Sequence, residues 1–445
     1  MSELLDLATK VAGWAKEGEQ VEAYVARGNS TTVRVYNADI ESFSSAQEEG
    51  VGIRVVKDGR QGFAYAGVLD LDVLQETLAE ARDNASFAEY DEFVGLAEPD
   101  GVEPADIDLW RDSLQSVPTD RKIELAFELE KQLLAADARI KTVPVASYGD
   151  AWSESALATS AGIAVWQRAT QCALSTYCLA VDGGDTQTGF GFTVGRQHDD
   201  LELEKAVADA ARRATVMLGA TKPKSRRMSV ILDPDVTSSF LSVIGFPLTG
   251  DAVLKGRSVF ANRMGEAVGS PAVTLVSDPT DTRSLAANPI DAEGLASRRL
   301  SLIDQGVLTG FAHNSYTARR AGTTSTGSAV RSMKTTPSVS CRAMTFQEGT
   351  QTQEELMAEL GDGVIIQSVS GLHSGVNPVS GDFSTGAEGL MFRDGQIAEP
   401  VREFTIASTL QRMLSDVVAV GNDVEQLPTG LSMSVAIGDI SVSGE

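Results

Sequence analysis

Near the start of the chain, Leu4, Leu5, Leu7, Ala8, Val11, Ala12 and Ala15 follow Ser2 at a spacing near 3.6, which predicts a capped amphipathic helix. The period then changes. VEAYVARG (21–28), TTVRVYN (31–37) and the segment from Ile40 to Ala46 read as half-buried strands. Two further runs, VGIRVVK and RQGFAYAG, meet at Asp58-Gly59, a dipeptide suited to the left-handed residues of a type I′ hairpin, so an antiparallel meander is predicted under the helix. Helical spacing returns at about 71–85 and again at about 120–136, with the acidic, Pro-containing AEYDEFVGLAEPDGVEPADIDLW between them.

From Thr142 to Arg196 the chain is rich in alternating, β-branched segments with Gly punctuation, and several adjacent strands are predicted. Cys172 and Cys178 are six apart, hence on one face of a strand, where free cysteines pack as small hydrophobes. A helix over Leu201 to Leu218 leads into GATKPKSRRM, a basic Pro-containing connection that marks the boundary between two domains, 1–220 and 221–445. Past it, MSVILDPDV starts a new strand and Pro234 opens a helix running to about Gly245. Hairpin signals follow at Asp304-Gln305-Gly306 and Asp394-Gly395, with helices near 351–360 and 404–416 and a closing strand near 432–443. Both halves mix long antiparallel runs with a few helices, which predicts an α+β fold of two domains, each an antiparallel sheet with packed helices.

Composition narrows the function. The chain has 445 residues, 42% of them hydrophobic and 22% charged, enough apolar material for sizeable cores. Its formal charge of −25 excludes direct nucleic-acid binding of the usual basic kind, since backbone phosphates would be repelled. Residues 1–110 carry 8 Lys and Arg against 23 Asp and Glu, a net of −15, which reads first as a solvated face and second as a docking surface. Three cysteines are too few for a disulfide framework, and a reducing cytosol is expected. The first residues match neither a signal peptide nor a transit peptide, and no apolar run is long enough to span a membrane.

Three histidines, His198, His313 and His373, limit the chemistry sharply. No HExxH or GxSxG is present; Ser384 in GDFSTG has its glycines at the wrong offsets. GFGFTVG (189–195) misses the dinucleotide fingerprint by one place and sits in a strand-like run. Cys341 alternates like a strand residue, which favours burial over nucleophilic work, and His313 and His373 read as hydrogen-bonding loop residues. Asp233/Asp235 and Asp278/Asp281 could hold a metal through oxygen, but acids near Pro are more often caps and turn formers. The stretch 370–395 is the most unusual: Gly375, Gly381, Gly386 and Gly389 with Asn377 and Pro378 imply tight backbone geometry, as a structural turn series or as a ligand-contacting loop.

Within that stretch, GVNPVSGDFSTGAEG resembles the signature of the TldD/PmbA family, whose PmbA branch is also called TldE. Further similar pieces lie in the expected order: the strand-rich N-terminal run, LTGDAVLKGRSVF (248–260), SYTARRAGTTSTGSA (315–329) and VAVGNDVE (418–425). The resemblance implies a two-domain α+β fold and a cytosolic heterodimeric metallopeptidase in which a TldD-like subunit carries zinc on an HExxxH helix and a later cysteine. In this chain the matching helix, SSFLSVIGFPLTGD, places Leu241 and Phe246 where the two histidines would stand and Ser242 where the glutamate would be. No cysteine follows Cys341, so the third ligand is missing too. The resemblance therefore implies a PmbA/TldE-like chain with no catalytic residue and no metal of its own, partnered by a zinc-bearing TldD-like subunit that cuts unfolded peptides. His373, Asn377, Gly381, Asp382, Phe383, Ser384 and Gly386 are its candidate peptide- or subunit-contact loop. The alternative is a stand-alone homodimer that binds peptide or protein, such as a modulator of DNA gyrase. A hydrolase with its own site is the third possibility.

Overall fold

The computed structural model describes residues 2–445. Helix α1 (Glu3–Ala12) precedes three antiparallel strands, β1 (Glu19–Tyr36), β2 (Asp39–Lys57) and β3 (Arg60–Ala66). The runs 21–28 and 31–37 are one continuous strand, as are 40–46 and VGIRVVK, because no Gly or Pro turn interrupts them and their partners match them in length. Asp58 and Gly59 both take positive φ at the tight turn between β2 and β3. Helices α2 (Leu71–Phe87), α3 (Asp112–Gln115) and α4 (Thr119–Ala136) lead to a second meander, β4 (Ile140–Thr159), β5 (Ala164–Asp182) and β6 (Asp185–Gly195), closed by α5 (Leu203–Val216).

The two meanders form one sheet in the order β3-β2-β1-β4-β5-β6, joined by the long antiparallel pairing of β1 with β4. One face is covered by helices: Val21, Ala23 and Val25 pack under α1 and α2, and Val33, Val35 and Tyr148 under α4 and α5. Cys178 belongs to that core and Cys172 is buried beside it.

The glycines of GFGFTVG serve the contact with α5. A Cβ on Gly191 would stand 2.0 Å from the Ala206 carbonyl oxygen and one on Gly189 2.1 Å from that of Ala210, so both residues let a helix backbone lie directly on the strand. Gly191→Ala is therefore expected to destabilise the protein by about 1–3 kcal/mol or more through overpacking, read as a lower urea midpoint with unchanged slope.

The second half begins with β7 (Arg226–Leu232), α6 (Pro234–Ile244) and α7 (Gly250–Leu254). A largely irregular stretch follows, holding β8 (Leu275–Ser277), β9 (Leu300–Asp304), β10 (Val307–Leu308), α8 (Ser315–Ala321), β11 (Ala329–Val330), β12 (Ser338–Val339) and β13 (Met344–Phe346). Then come α9 (Gln353–Leu360), β14 (Gly363–Ser370), α10 (Leu372–Gly375), β15 (Asp382–Arg393) and β16 (Gln396–Thr409). The chain closes with α11 (Leu410–Ser415), β17 (Val417–Val420), β18 (Glu425–Leu427), β19 (Gly430–Ser432) and β20 (Val435–Ser443).

The main sheet here runs β16-β15-β14-β7-β20-β17, and β20 also pairs with β16, so the sheet curls toward closure. Val230, Leu232, Val364 and Ile366 face the large core with α6 and α11, while Ile231 and Ile365 face α9. Two expectations need correction. Residues 404–409 are strand and only 410–415 are helix, because Thr405 to Ala407 pair with both β15 and β20. The sheet is also mixed rather than wholly antiparallel, since β14 runs parallel to β7. The fold is α+β, as its pattern predicts.

Candidate functional site

The face of the first sheet opposite its helices is half open. Tyr24, Leu157 and Val165 are cross-strand partners there, and so are Ala26, Ser155 and Gln167 in the next row. Except for Ala26, these side chains form one wall of a cavity of about 870 Å³ between the two halves. The other walls come from α6, α8 and the β11–β12 hairpin.

Helix α6 starts where Asp233, in extended conformation, hands over to Pro234 at the first helical position, and it ends at Gly245. Its Phe240, Leu241 and Ile244 are buried, whereas Ser242 is exposed. Leu241, Ser242 and Phe246 all line the cavity. Ser242 Oγ is spent locally, donating to the Ser239 carbonyl at 2.7 Å, and Phe246 is 38% exposed. Cys341 also reaches the cavity, but its Sγ points to the carbonyls of Gly245 and Leu248 at 3.5 and 3.8 Å, and burial pushes the thiol up to about 12.

Zinc takes three or four nitrogen, thiolate or carboxylate donors at about 2.0–2.3 Å. Two hydrocarbon side chains, a hydroxyl committed to a backbone carbonyl and a strongly protonated thiol do not fit it. Among the described residues no three His, Cys, Asp or Glu side chains converge on a possible metal position. Asp278 and Asp281 act in turns, accepting from Thr280 and Arg283, and Asp235 is held by Arg213.

The deeper charges around the cavity are buried, whereas Asp251 and Lys255 at its rim form a half-exposed pair. Glu22 on β1 accepts two hydrogen bonds from Arg54, at 3.0 and 2.7 Å, and another from Arg331 of the second half, whose side chain has no exposure. Burial raises the Glu22 carboxyl, but the two guanidiniums outweigh it and hold it below the ordinary carboxylate value. Deeper in the wall, Asp291 accepts from the N–H groups of Glu293, Leu295 and Ala329, while burial and the neighbouring Glu293 push it upward. His313 packs edge-on against Gly250, with burial lowering its basicity and Nδ1 3.2 Å from Thr317 Oγ1.

The contact-loop candidates gather elsewhere, at the end of the second sheet. His373 is exposed on the one-turn α10. Asn377 organises the next turn: its Oδ1 accepts from Val379 and Ser380 N–H, and its carbonyl from Gly381 N–H. Gly381 takes φ +86 against Gln411, and Asp382 accepts from the Ser380 hydroxyl. Ser384 is exposed, Gly386 pairs with Ser370, and Phe383 turns into the core. None of these seven lines the cavity. Phe383 is set edge-on against Phe240 of α6, with ring centroids 6.3 Å apart, in the core that also holds Leu241.

Sequence reasoning missed most of the cavity. Tyr24, Ser155 and Gln167 carry only the strand alternation as a signal, and Asp291, Arg331 and Arg342 lie in irregular chain with no period. Of that stretch, the similar piece 315–329 pointed at the right neighbourhood.

Comparison with known proteins matches three consecutive parts of this geometry. Residues 21–85 match domain 1, residues 112–218 the central domain and residues 225–444 the C-terminal domain of the PmbA/TldA metallopeptidases. The chain is 27% identical over 450 residues to the metalloprotease PmbA of Escherichia coli O157:H7, covering 100% of this chain and 96% of that one. A solved structure of a candidate modulator of a DNA gyrase from Thermotoga maritima superposes with TM-score 0.91 at 25% identity, covering 98% and 99% of the two chains. TldE from Thermococcus kodakarensis shares the fold, with TM-score 0.89 at 23% identity over 96% and 97%.

Proposed function

The chain belongs to the PmbA/TldD metallopeptidase family, and we propose that within it this protein is the metal-free, TldE-like subunit of a cytosolic peptidase. Zinc and the cutting of unfolded peptides then belong to a TldD-like partner. The observation that carries this reading is the wall of the cavity: Leu241, Ser242 and Phe246 stand on the helix and turn that border it, and none can ligate zinc or act as a carboxylate base. The cavity, of about 870 Å³, is of a size suited to several residues of extended peptide.

A surface for the partner is at hand. Beyond the cavity the open sheet face continues with Gly28, Ser30 and Thr32, flanked by Ser44, Ala46 and Glu48 on one side and Gly149, Ala151 and Ser153 on the other. Glu48 is the one charge among these nine. Next to it, β3 covers β2 only from Val51 onward, so the β2 edge from Asp39 to Gly50 offers free backbone groups, with Ile40 and Phe43 exposed. The same edge supports the second reading, a homodimer that binds peptide or protein alone.

Co-expression with a TldD-like protein tests the choice. The expected result is a 1:1 complex by native mass spectrometry, with zinc in the partner and peptide cleavage by the complex but by neither chain alone. A metal-free homodimer that neither binds nor changes such a partner overturns the subunit reading in favour of the second.

A further inference from the structure

The two halves meet a second time away from the cavity, where charged side chains of α5 reach the start of α6 and Glu425 of β18. Four carboxylates and three cations are gathered there. Arg213 of α5 holds Asp235 directly, and the same Nη2 is 3.9 Å from Asp233. Lys205 bridges Asp209 at 2.9 Å and Glu425 at 3.6 Å, and Arg212 reaches Asp209 at 3.6 Å. The near strands add no charge, since the adjoining ends of β7 and β14 are Val230 to Leu232 and Ile365 to Gln367.

The mismatch falls on Asp233. Its side chain is nearly buried, makes no capping hydrogen bond to α6, and must share a guanidinium already engaged by Asp235. Arg213 cannot swing to serve both, because it is stacked 4.0 Å over the Phe190 ring and is itself buried. One negative charge in this junction has no cation of its own, and a buried unpaired charge is resolved by taking a proton.

We propose that this junction is a proton-operated latch between the two halves: with a proton on Asp233 the charges balance and α5 stays docked on α6, and without it the halves part more readily. The consequence reaches the cavity, because α6 runs from Asp233 at the latch to Leu241 and Ser242 in the cavity wall. Burial first, then Asp235 and Glu425, push the Asp233 carboxyl from 3.8 to about 7, against the pull of Arg213 and Arg212. The folded chain therefore holds a proton that the unfolded chain has released between those values. The stabilisation is complete below 3.8 and is lost as pH rises through about 7.

Hydrogen exchange of the full chain at pH 6 and pH 8, corrected for intrinsic exchange, tests it. In the unmodified protein, protection of 203–216 and 234–244 is expected to fall about tenfold or more from pH 6 to pH 8, one factor of ten for each pH unit over which the proton is lost. Asp233→Asn, which is neutral at both values, is expected to show no such fall. Asp235→Asn gives Asp233 sole use of Arg213 and is likewise expected to remain protected at pH 8. It also serves as the independent variant if Asp233→Asn does not fold. Equal protection at both pH values in the unmodified protein, or an undiminished fall in either variant, overturns the latch.

Discussion

Replacing Glu22 with alanine is expected to lower the stability of the protein by about 3–5 kcal/mol, the range for removing one partner of a buried ion pair. Glu22 has no solvent exposure and serves two guanidiniums at once, Arg54 from the neighbouring strand and Arg331 from the second half. Its removal leaves two positive charges facing each other inside the protein. Arg331 is the less able to adapt, since its Nε and Nη2 already lack partners and its guanidinium lies 5.0 Å over the Tyr24 ring. Urea unfolding of the variant reads the loss directly as a shift of the midpoint. Arg331→Met together with Glu22→Ala should recover part of it, because one of the stranded charges goes as well. A loss under 1 kcal/mol for Glu22→Ala would mean that water reaches this network.

The second large effect separates two roles inside the signature loop. Phe383→Ala is expected to cost about 3–5 kcal/mol, the usual range for emptying a buried aromatic site. Phe383 is 4% exposed and bears edge-on against Phe240, so its truncation leaves a void behind α6. Ser384, the next residue, is exposed and unbonded through its side chain to the rest of the loop. Ser384→Ala should leave stability within about 0.5 kcal/mol. If the loop contacts peptide or a partner, the exposed positions His373 and Ser384 are where substitution should weaken binding without unfolding, whereas Asn377 also holds the turn. Thermal melts of both variants, read beside partner binding, distinguish a packing residue from a contact residue.

How much of this was legible depended on whether a feature is local. The Asp58-Gly59 hairpin, the helix opened by Pro234 and the two turns at Gln305-Gly306 and Asp394-Gly395 are written in a few adjacent residues, and each stands where its residues indicate. β1 runs unbroken because it is flanked on both sides and held by its partners even through Gly28 and Asn29, and β2 runs unbroken along the length of β1 although its other edge is covered only from Val51. At 404–409 the spacing of apolar residues also suits a helix, and only pairing with β15 and β20 decides for a strand. That Leu241 and Phe246 cannot ligate zinc follows from their side-chain chemistry and holds in any fold. The cavity they border was not legible, because its walls come from residues as far apart in sequence as Tyr24, Gln167 and Arg331. Nor was the latch. Arg213 and Asp235 are both ordinary surface-type residues until α5 and α6 bring them together.

The position of β20 also sets a timetable for synthesis. Residues 435–443 are the last regular element of the chain, yet they lie between β7 and β17 and close on β16 as well. The partners of Arg226 and Met228 are Val442 and Ile440, more than two hundred residues downstream. The first sheet, by contrast, has all its strands by Gly195. On the ribosome the first half can therefore fold while its neighbour is still being made, whereas the second cannot complete its sheet until β20 has emerged, because β7 has only β14 beside it before then. During that wait one edge of β7 has no partner strand, and a chain cut short before residue 435 is expected to expose that edge.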